Sequence, residues 1–104
     1  MNVRWTAYGT ADLIGIRNHI AEHSAHYANA VVDRILTRVT HLEVFPESGQ
    51  MVPEYGRNDI REVLVHSYRI IHHVLPSEVR ILTVVHGSML LPAMPPIEGE
   101  HTMD

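Results

Sequence analysis

Hydrophobic and polar residues alternate through residues 61–87, and this pattern predicts three short β-strands. The strands are rich in Val, Ile, Tyr and Thr, residues that suit a pleated, half-buried surface. They are centred on residues 63–65, 68–74 and 79–85. Tight reversals at His66-Ser67 and at Leu75–Glu78 separate the strands, since their Ser and Pro residues favour turns. The segment is therefore predicted to form an antiparallel meander.

A register for this meander assigns each side chain to one of two faces, because side chains alternate along a strand. The predicted register pairs Val65 with Tyr68 and Val74 with Val79. The mostly apolar face, predicted to be the core side, carries Val63, Val65, Tyr68, Ile70, His72, Val74, Val79, Ile81, Thr83 and Val85. The opposite face has four apolar residues, which we call the apolar floor: Leu64, Ile71, Leu82 and Val84. It also carries charged and imidazole groups: Glu62, Arg69, His73, Arg80 and His86.

The first part of the chain predicts a strand and a helix. Residues 2–7 alternate and predict a short strand, with Trp5 in the core. The Gly9-Thr10 pair is expected to end that strand and Thr10 to cap the helix, with Asp12 in its first turn. The helix is expected to end near His23-Ser24, where Ser24 caps the next helix.

A second helix shows the strongest periodicity in the chain. Its apolar stripe recurs at spacings of three and four residues: Ala28, Val32, Ile35, Val39 and Leu42. Pro46 ends this helix, and residues 46–59 are predicted to form a polar loop. Two amphipathic helices with almost no linker predict an antiparallel helical hairpin.

The order of elements predicts an α+β fold, β-α-α-β-β-β, in which the helical hairpin covers the apolar face of a small antiparallel sheet. A chain of 104 residues is long enough for one domain with a packed core. We expect that domain to span residues 1–92. Residues 93–104 lack periodicity and contain Pro95 and Pro96, so they are predicted to form an extended tail.

Composition excludes several kinds of function. The chain has no cysteine, so it has no disulfide or thiolate chemistry, and no cofactor is predicted. No apolar run approaches the length of a membrane span and no leader opens the chain, which favours a cytoplasmic protein. The formal net charge is −4, and all eight basic residues are arginine. This balance disfavours sequence-specific nucleic-acid binding, because such proteins usually have a basic surface.

A set of short motifs resembles the RelE/ParE toxin superfamily, and the ParE branch in particular, over about residues 3–92. These motifs are Trp5-Thr6, Ala11-Asp12-Leu13 with Ile16, Phe45-Pro46, Val52-Pro53-Glu54, Arg61-Glu62, Tyr68-Arg69-Ile70-Ile71 and Val85-His86-Gly87. The resemblance implies the toxin of a type II toxin–antitoxin pair, neutralised by a cognate ParD-like antitoxin. ParE-like toxins act on DNA gyrase and so block replication, whereas RelE-like toxins cleave mRNA on the ribosome.

The residues needed for metal-free RNA cleavage are largely missing. Such cleavage requires a base, an acid and cations around the scissile phosphate. The chain has no lysine, no tyrosine after Tyr68, and Ser88, Met89, Leu90 and Leu91 in place of basic residues after Gly87. The arginine that ParE relatives often carry after the His-Gly pair is also absent. A protein–protein inhibitor rather than an enzyme is therefore predicted.

Two alternatives stay open. One is a RelE-like ribonuclease with Glu62 or His86 as base and with Arg69 and Arg80 as charge stabilisers. The other is a non-toxic family member that only binds its antitoxin. For the predicted inhibitor, the candidate target-binding residues are Arg69, Arg80, His73 and His86, unless they simply form a solvated sheet face.

One further pair is a candidate for metal binding. His19 and His23 lie one helical turn apart, but a third ligand is not evident, so a solvated helix face is favoured and no metal is predicted.

Overall fold

The computed structural model describes residues 1–97, which form one strand, two helices and then four strands. Their bounds are β1 Asn2–Trp5, α1 Ala7–Ala21, α2 Ala25–His41, β2 Gln50–Met51, β3 Ile60–Val65, β4 Tyr68–Val74 and β5 Glu78–His86. The predicted α+β class is confirmed. The short strand β2 and the buried Val52 lie in the segment that was predicted to be a polar loop. The predicted tail falls outside the described residues from position 98 onward.

The strands form one five-stranded sheet in the order β1-β5-β4-β3-β2. Strand β1 runs parallel to β5, with Val3 opposite Val79, and all other neighbours are antiparallel. The sheet is therefore mixed rather than wholly antiparallel. The connection from β1 to β5 contains the helical hairpin and the other three strands, which provides the long crossover that a parallel pair needs. β1 and β2 form the two outer edges.

Both turns of the meander have the predicted register, but a bulge interrupts the second strand pair. Val65 lies opposite Tyr68, and Val74 lies opposite Val79. Between Ile71 and His72 the pairing with β5 shifts by one residue. A bulge adds one unpaired residue to a strand, so the predicted faces are wrong for the last three residues of β5, Val84, Val85 and His86.

The consequence is clearest at the end of β5. Val84 lies opposite Ile70 and packs in the core beneath the helices, although it was predicted on the other face. Val85 lies opposite Arg69, on the face that was predicted for Val84. His86 lies opposite Tyr68 and so shares the helix side rather than the Arg69 face.

The main core lies between the helical hairpin and one face of the sheet. From α2 and its C-cap residue it takes Val31, Ile35, Val39 and Leu42, and from the sheet Val63, Val65, Ile70, Val79, Ile81 and Val84. Trp5 packs against this cluster while remaining partly exposed. Val31 is buried, whereas Val32, which was predicted to belong to the apolar stripe of α2, is only partly buried. Ser24 caps α2 as predicted, since its side chain accepts a hydrogen bond from the Tyr27 backbone N–H at 3.0 Å.

Helix α1 begins at Ala7, earlier than the sequence suggested, because Thr6 rather than Thr10 is its N-cap. The Thr6 hydroxyl accepts from the Gly9 N–H at 3.0 Å and donates to the Ile81 carbonyl at 2.7 Å. A Cβ at Gly9 would lie 2.6 Å from that carbonyl oxygen. The glycine therefore permits the close approach of α1 to β5. It lies within α1 and, contrary to the prediction, does not mark the end of the first strand.

A second apolar cluster lies on the sheet face away from the helices. It consists of Val52, Ile60, Ile71, Leu82 and Ile97, with Tyr55, Val85 and Leu91 packed around it. The Tyr55 hydroxyl also donates to the Pro92 carbonyl at 2.9 Å. Ile71 and Leu82 of the predicted apolar floor are thus covered by the segment after β2 and by residues 91–97, whereas Leu64 is 60% exposed.

Candidate protein-interaction surfaces

Arg69, the first candidate target-binding residue, is held in a network of acidic side chains. Its Nε donates to Glu62 Oε1 at 2.6 Å, and its two Nη atoms donate to the Glu54 carboxylate at 2.8 Å each. Gln50 Nε2 donates to the other Glu62 oxygen at 3.1 Å. The Arg69 hydrogen bonds hold the pKa of Glu54 at about 2, and the Arg69 pKa is raised in turn. The guanidinium therefore fastens the segment after β2 to the sheet.

Arg80 lies near the other edge of the same face. Its Nε donates to Glu78 Oε2 in a short hydrogen bond, and Arg4 Nη2 approaches the same oxygen at 3.5 Å. Arg80, followed by Arg4, lowers the pKa of the Glu78 carboxyl. The Arg80 side chain remains partly exposed, so a partner can still reach it.

His73 is buried and binds an acidic loop residue. Its Nε2 lies 2.9 Å from Asp59 Oδ2, while Arg57 donates to both Asp59 oxygens at 2.9 and 3.0 Å. The Arg57 hydrogen bonds, then the His73 hydrogen bond, hold the pKa of Asp59 at about 2. His73 Nδ1 is buried and has no hydrogen-bond partner among residues 1–97. His73 and Arg80 are cross-strand neighbours, so these two candidates do lie together.

His86 lies on the opposite side of the sheet from the other three. Its ring stands nearly perpendicular to that of Tyr68, with ring centroids 5.6 Å apart. Its Nδ1 lies 2.7 Å from the Ser88 hydroxyl oxygen. The structure therefore divides the predicted set into Arg69, His73 and Arg80 on one face and His86 on the other.

The residues of the ribonuclease alternative do not form one site, because Arg69 and Glu62 are in contact but His86 lies on the other side of the sheet. Glu62 is only 3% exposed, and both of its carboxylate oxygens accept hydrogen bonds, from Arg69 and Gln50. A buried carboxylate in these contacts is poorly placed to accept a proton from RNA. His86, the other proposed base, lies across the sheet from Arg69 and Glu62.

The sequence did not reveal a groove of about 870 Å³ between the helices and the end of β5. Its lining includes Gly15, Ile16, His19, Ile20, His23, Tyr27, Tyr68, His86 and Met89. We call this the helix–strand groove. The i, i+4 spacing of Gly15, His19 and His23 is the sequence signal for it, since these positions share one helix face. Within residues 1–97, no group of three or more His, Cys, Asp or Glu residues could hold a metal ion.

Gly15 leaves the wall of the helix–strand groove open, because a Cβ there would meet no atom of the described residues within 4 Å. Asp12 also lines the groove, but its carboxylate is already bound: it accepts from the Thr83 hydroxyl in a short hydrogen bond and from the Val84 N–H at 3.1 Å. The groove is thus mainly an apolar surface with an imidazole rim.

The fold and these surfaces can be compared with known proteins. The family model for the ParE toxin of type II toxin–antitoxin systems, parDE, matches residues 3–91. The chain belongs to the ParE toxin family. Among solved structures, a protein of the chromosomal ParDE toxin–antitoxin system from P. aeruginosa has a TM-score of 0.70 at 22% sequence identity. The alignment covers 83% of this chain and 95% of the other, which supports the common fold.

A search of curated protein sequences finds no match for this ParE-family chain. None of the helices within residues 1–97 has the length and apolar character to cross a membrane. The family match ends at residue 91, so the buried Ile97 lies beyond the part that the ParE family shares.

Proposed function

We propose that this ParE-family toxin inhibits DNA gyrase in the cytoplasm and that a cognate ParD-like antitoxin neutralises it. The family match carries the proposal. The state of Glu62 supports inhibition through a surface rather than RNA cleavage, since that carboxylate is buried and bound to Arg69 and Gln50. The related P. aeruginosa structure comes from a ParDE system, which supports an antitoxin partner.

The helix–strand groove is the proposed site for an antitoxin segment. Apolar grooves between helices bind amphipathic peptides through a few anchoring side chains. The groove is large enough for several such anchors, at about 870 Å³, and Ile16, Ile20 and Met89 contribute to its lining. Tyr27 and Met89 are both more than half exposed, so its rim is accessible to a partner.

Gyrase inhibition is tested with the purified toxin in a supercoiling assay. We expect the toxin to block supercoiling and the cognate antitoxin to restore it. In cells, growth arrest should be accompanied by the SOS response and by cleaved gyrase–DNA complexes. Growth arrest without either would contradict the gyrase proposal. Prompt ribosome-dependent mRNA cuts, seen by primer extension, would instead support the ribonuclease alternative.

Antitoxin binding in the groove is tested with a substitution that fills it. Gly15→Trp places a large side chain where the wall is open, so we expect the fold to survive and antitoxin affinity to fall at least about tenfold. Asn18→Trp is the matched control, because this exposed α1 residue does not line the groove. Equal affinities of the two variants, measured by calorimetry, would place the antitoxin elsewhere.

A non-toxic protein that only binds the antitoxin is the second candidate function. It is favoured by the ion pairs of Arg69 and Arg80, which partly neutralise two of the cations predicted to contact a target. Expression without the antitoxin decides between the two candidates. Unimpaired growth at a protein level that matches a toxic ParE control would favour the second.

A further inference from the structure

The arginines of this chain fall into two groups. Four of them form ion pairs with carboxylates: Arg4, Arg57, Arg69 and Arg80. Within residues 1–97 the other four form no ion pair with a carboxylate and donate to neutral acceptors instead: Arg17, which lies apart on α1, and the three arginines Arg34, Arg38 and Arg61. A positive charge that donates to a neutral acceptor is not compensated, so it stays available to an anionic partner.

The acceptors of these three arginines are specific. Arg34 donates to His66 Nε2 at 2.8 Å, which requires that nitrogen to be unprotonated. Arg38 donates to His41 Nδ1 at 3.2 Å and to a serine hydroxyl at 3.1 Å. Arg61 donates to Asn58 and to a backbone carbonyl. All three contacts leave the net positive charge in place.

The three side chains lie next to one another. Arg34 and Arg38 are one turn apart on α2, which places them on one helix face. Arg38 binds the Ser48 hydroxyl and Arg61 binds the Gly49 carbonyl, so both reach the same turn before β2. We call Arg34, Arg38 and Arg61 the arginine row. It crosses from α2 to the β3 and β2 edge of the sheet, whereas the helix–strand groove lies by α1 and β5.

An exposed apolar surface adjoins the arginine row. Val44 is 70% exposed and Phe45 is 55% exposed. With His41, Pro46, Glu47 and Ser48 they line a depression of about 620 Å³, and we call its residues His41, Val44, Phe45 and Pro46 the apolar shelf. His41 belongs to the shelf and also binds Arg38, so the shelf and the row are continuous. Strand β2 beside them is a sheet edge and can accept an added strand.

We propose that the arginine row and the apolar shelf together bind an extended acidic segment of a protein partner that carries an apolar anchor. Carboxylates match the guanidinium fork bidentately, and the anchor would bury the exposed Phe45 and Val44 surface. The β2 edge would align the segment by backbone hydrogen bonds. Nucleic acid fits less well, because the chain has a formal net charge of −4 and the shelf is apolar. This inference does not depend on gyrase inhibition or on the occupant of the groove.

The probe is a fluorescein-labelled peptide in which Asp and Glu residues flank a central Leu, measured by fluorescence anisotropy on the full chain. An otherwise identical peptide with Asn and Gln tests the charge. We expect the acidic peptide alone to bind, with an affinity that falls as salt is raised. Arg38→Gln and Arg34→Gln should each weaken binding about fivefold to tenfold, which is typical for an arginine anchor of moderate strength.

Arg17→Gln is the matched control, since Arg17 also lacks a carboxylate partner within the described residues but lies on α1 and donates only to Asn18. Phe45→Ser tests the shelf, and Leu90→Ser controls for it, because Leu90 is equally apolar and 94% exposed. The Arg34→Gln variant guards against misfolding, since Arg34 is exposed and its side chain hydrogen-bonds only to His66 among residues 1–97. Thermal melts confirm that each variant is folded.

Two results would overturn the proposal. One is equal binding of the acidic and the amide peptides, which would leave no role for the arginine charges. The other is equal affinity of Arg38→Gln, Arg34→Gln and Arg17→Gln for the acidic peptide. A short DNA duplex that displaces the peptide and binds through the same arginines more tightly would assign the surface to nucleic acid and also contradict the proposal.

Discussion

Arg69 Nε donates to the buried Glu62 carboxylate at 2.6 Å, so one cation balances the charge of a glutamate that is 3% exposed. The same guanidinium donates to the Glu54 carboxylate from both Nη atoms and so joins β3, β4 and the segment after β2. The sequence predicted Arg69 only as a candidate target-binding residue or as part of a solvated sheet face. The structure gives it a structural role as well.

Arg69→Ala should therefore destabilise the protein. Removing one partner of a buried ion pair leaves the other charge uncompensated, and we expect a loss of about 3–5 kcal/mol in the free energy of unfolding. Urea denaturation measures this loss, with Arg17→Ala as the exposed control. The double variant Arg69→Met with Glu62→Leu should recover most of the stability. If Arg69→Ala and Arg17→Ala unfold at the same urea concentration, the ion pair is not structural.

Arg80→Ala is the cleaner test of the predicted target-binding face. Arg80 is partly exposed and pairs with Glu78 at the surface, where ion pairs contribute little to stability, so the fold should survive. Loss of an arginine anchor at an interface costs about 2 kcal/mol or more. We expect weaker growth inhibition and a weaker SOS response, with antitoxin binding retained. Toxicity equal to that of Arg17→Ala would remove Arg80 from the target-binding surface.

His72 should make stability fall as the solution is acidified. Its side chain is fully buried, and burial lowers its pKa from 6.5 to about 4. The unfolded chain therefore takes up a proton first, so stability falls as the pH drops from 6.5 to about 4 and this effect levels off below that value. The loss should approach roughly 3 kcal/mol, at about 1.4 kcal/mol for each pH unit.

Chemical denaturation at several pH values measures this dependence. His72→Met, which is apolar and adaptable, should flatten the slope between pH 6.5 and 4. His19→Gln removes one exposed imidazole and should keep the wild-type slope. An unchanged slope in His72→Met would assign the pH dependence to other groups.

Two glycines of α1 should respond in opposite ways to alanine. At Gly9 a Cβ would lie 2.6 Å from the Ile81 carbonyl oxygen, so α1 would have to move away from β5. We expect a loss of at least about 1–3 kcal/mol, as in other overpacked sites. At Gly15 no atom of residues 1–97 lies within 4 Å of such a Cβ, and alanine should stabilise the helix by up to about 1 kcal/mol. Thermal melts of the two variants should differ in sign; equal shifts would contradict the close approach.

Ile97 should contribute to stability although it lies beyond the residues that match the ParE family. It is 4% exposed and packs with Val52, Ile60 and Leu82. Ile97→Ala should cost about 2–4 kcal/mol, the usual range for a large buried aliphatic side chain. Met94→Ala, at a site that is 72% exposed, should cost less than about 0.5 kcal/mol. If both variants melt alike, residues 92–97 do not form part of the packed domain.

The local sequence pattern was sufficient to predict those features that depend on residues close together in the chain. The register at both turns follows from where the strands reverse, and the Ser24 cap follows from a hydroxyl that lies within reach of the Tyr27 N–H. The helical stripe of α2 was also predicted, apart from the exchange of Val31 for Val32, because helical periodicity is a local property.

Contacts between distant residues were decided only by the tertiary structure. Alternation carries no sign of the bulge opposite Ile71 and His72, so it misplaced Val84 and His86. Thr6 is the cap of α1 because its hydroxyl donates a hydrogen bond to the carbonyl of Ile81, a residue of the last strand. The pairing of Arg69 with Glu54 likewise joins residues fifteen positions apart.

The arginines show the same division between sequence and structure. Sequence alone showed that every basic residue is arginine and that the net charge is −4, which limits the partners of the protein. It did not show which arginines have carboxylate partners. Those pairs form across strands and loops, because folding brings acidic side chains to Arg69 and Arg80 but only neutral acceptors to Arg34 and Arg38. The positive charge is therefore balanced by a carboxylate at the first two arginines and is not balanced at the other two.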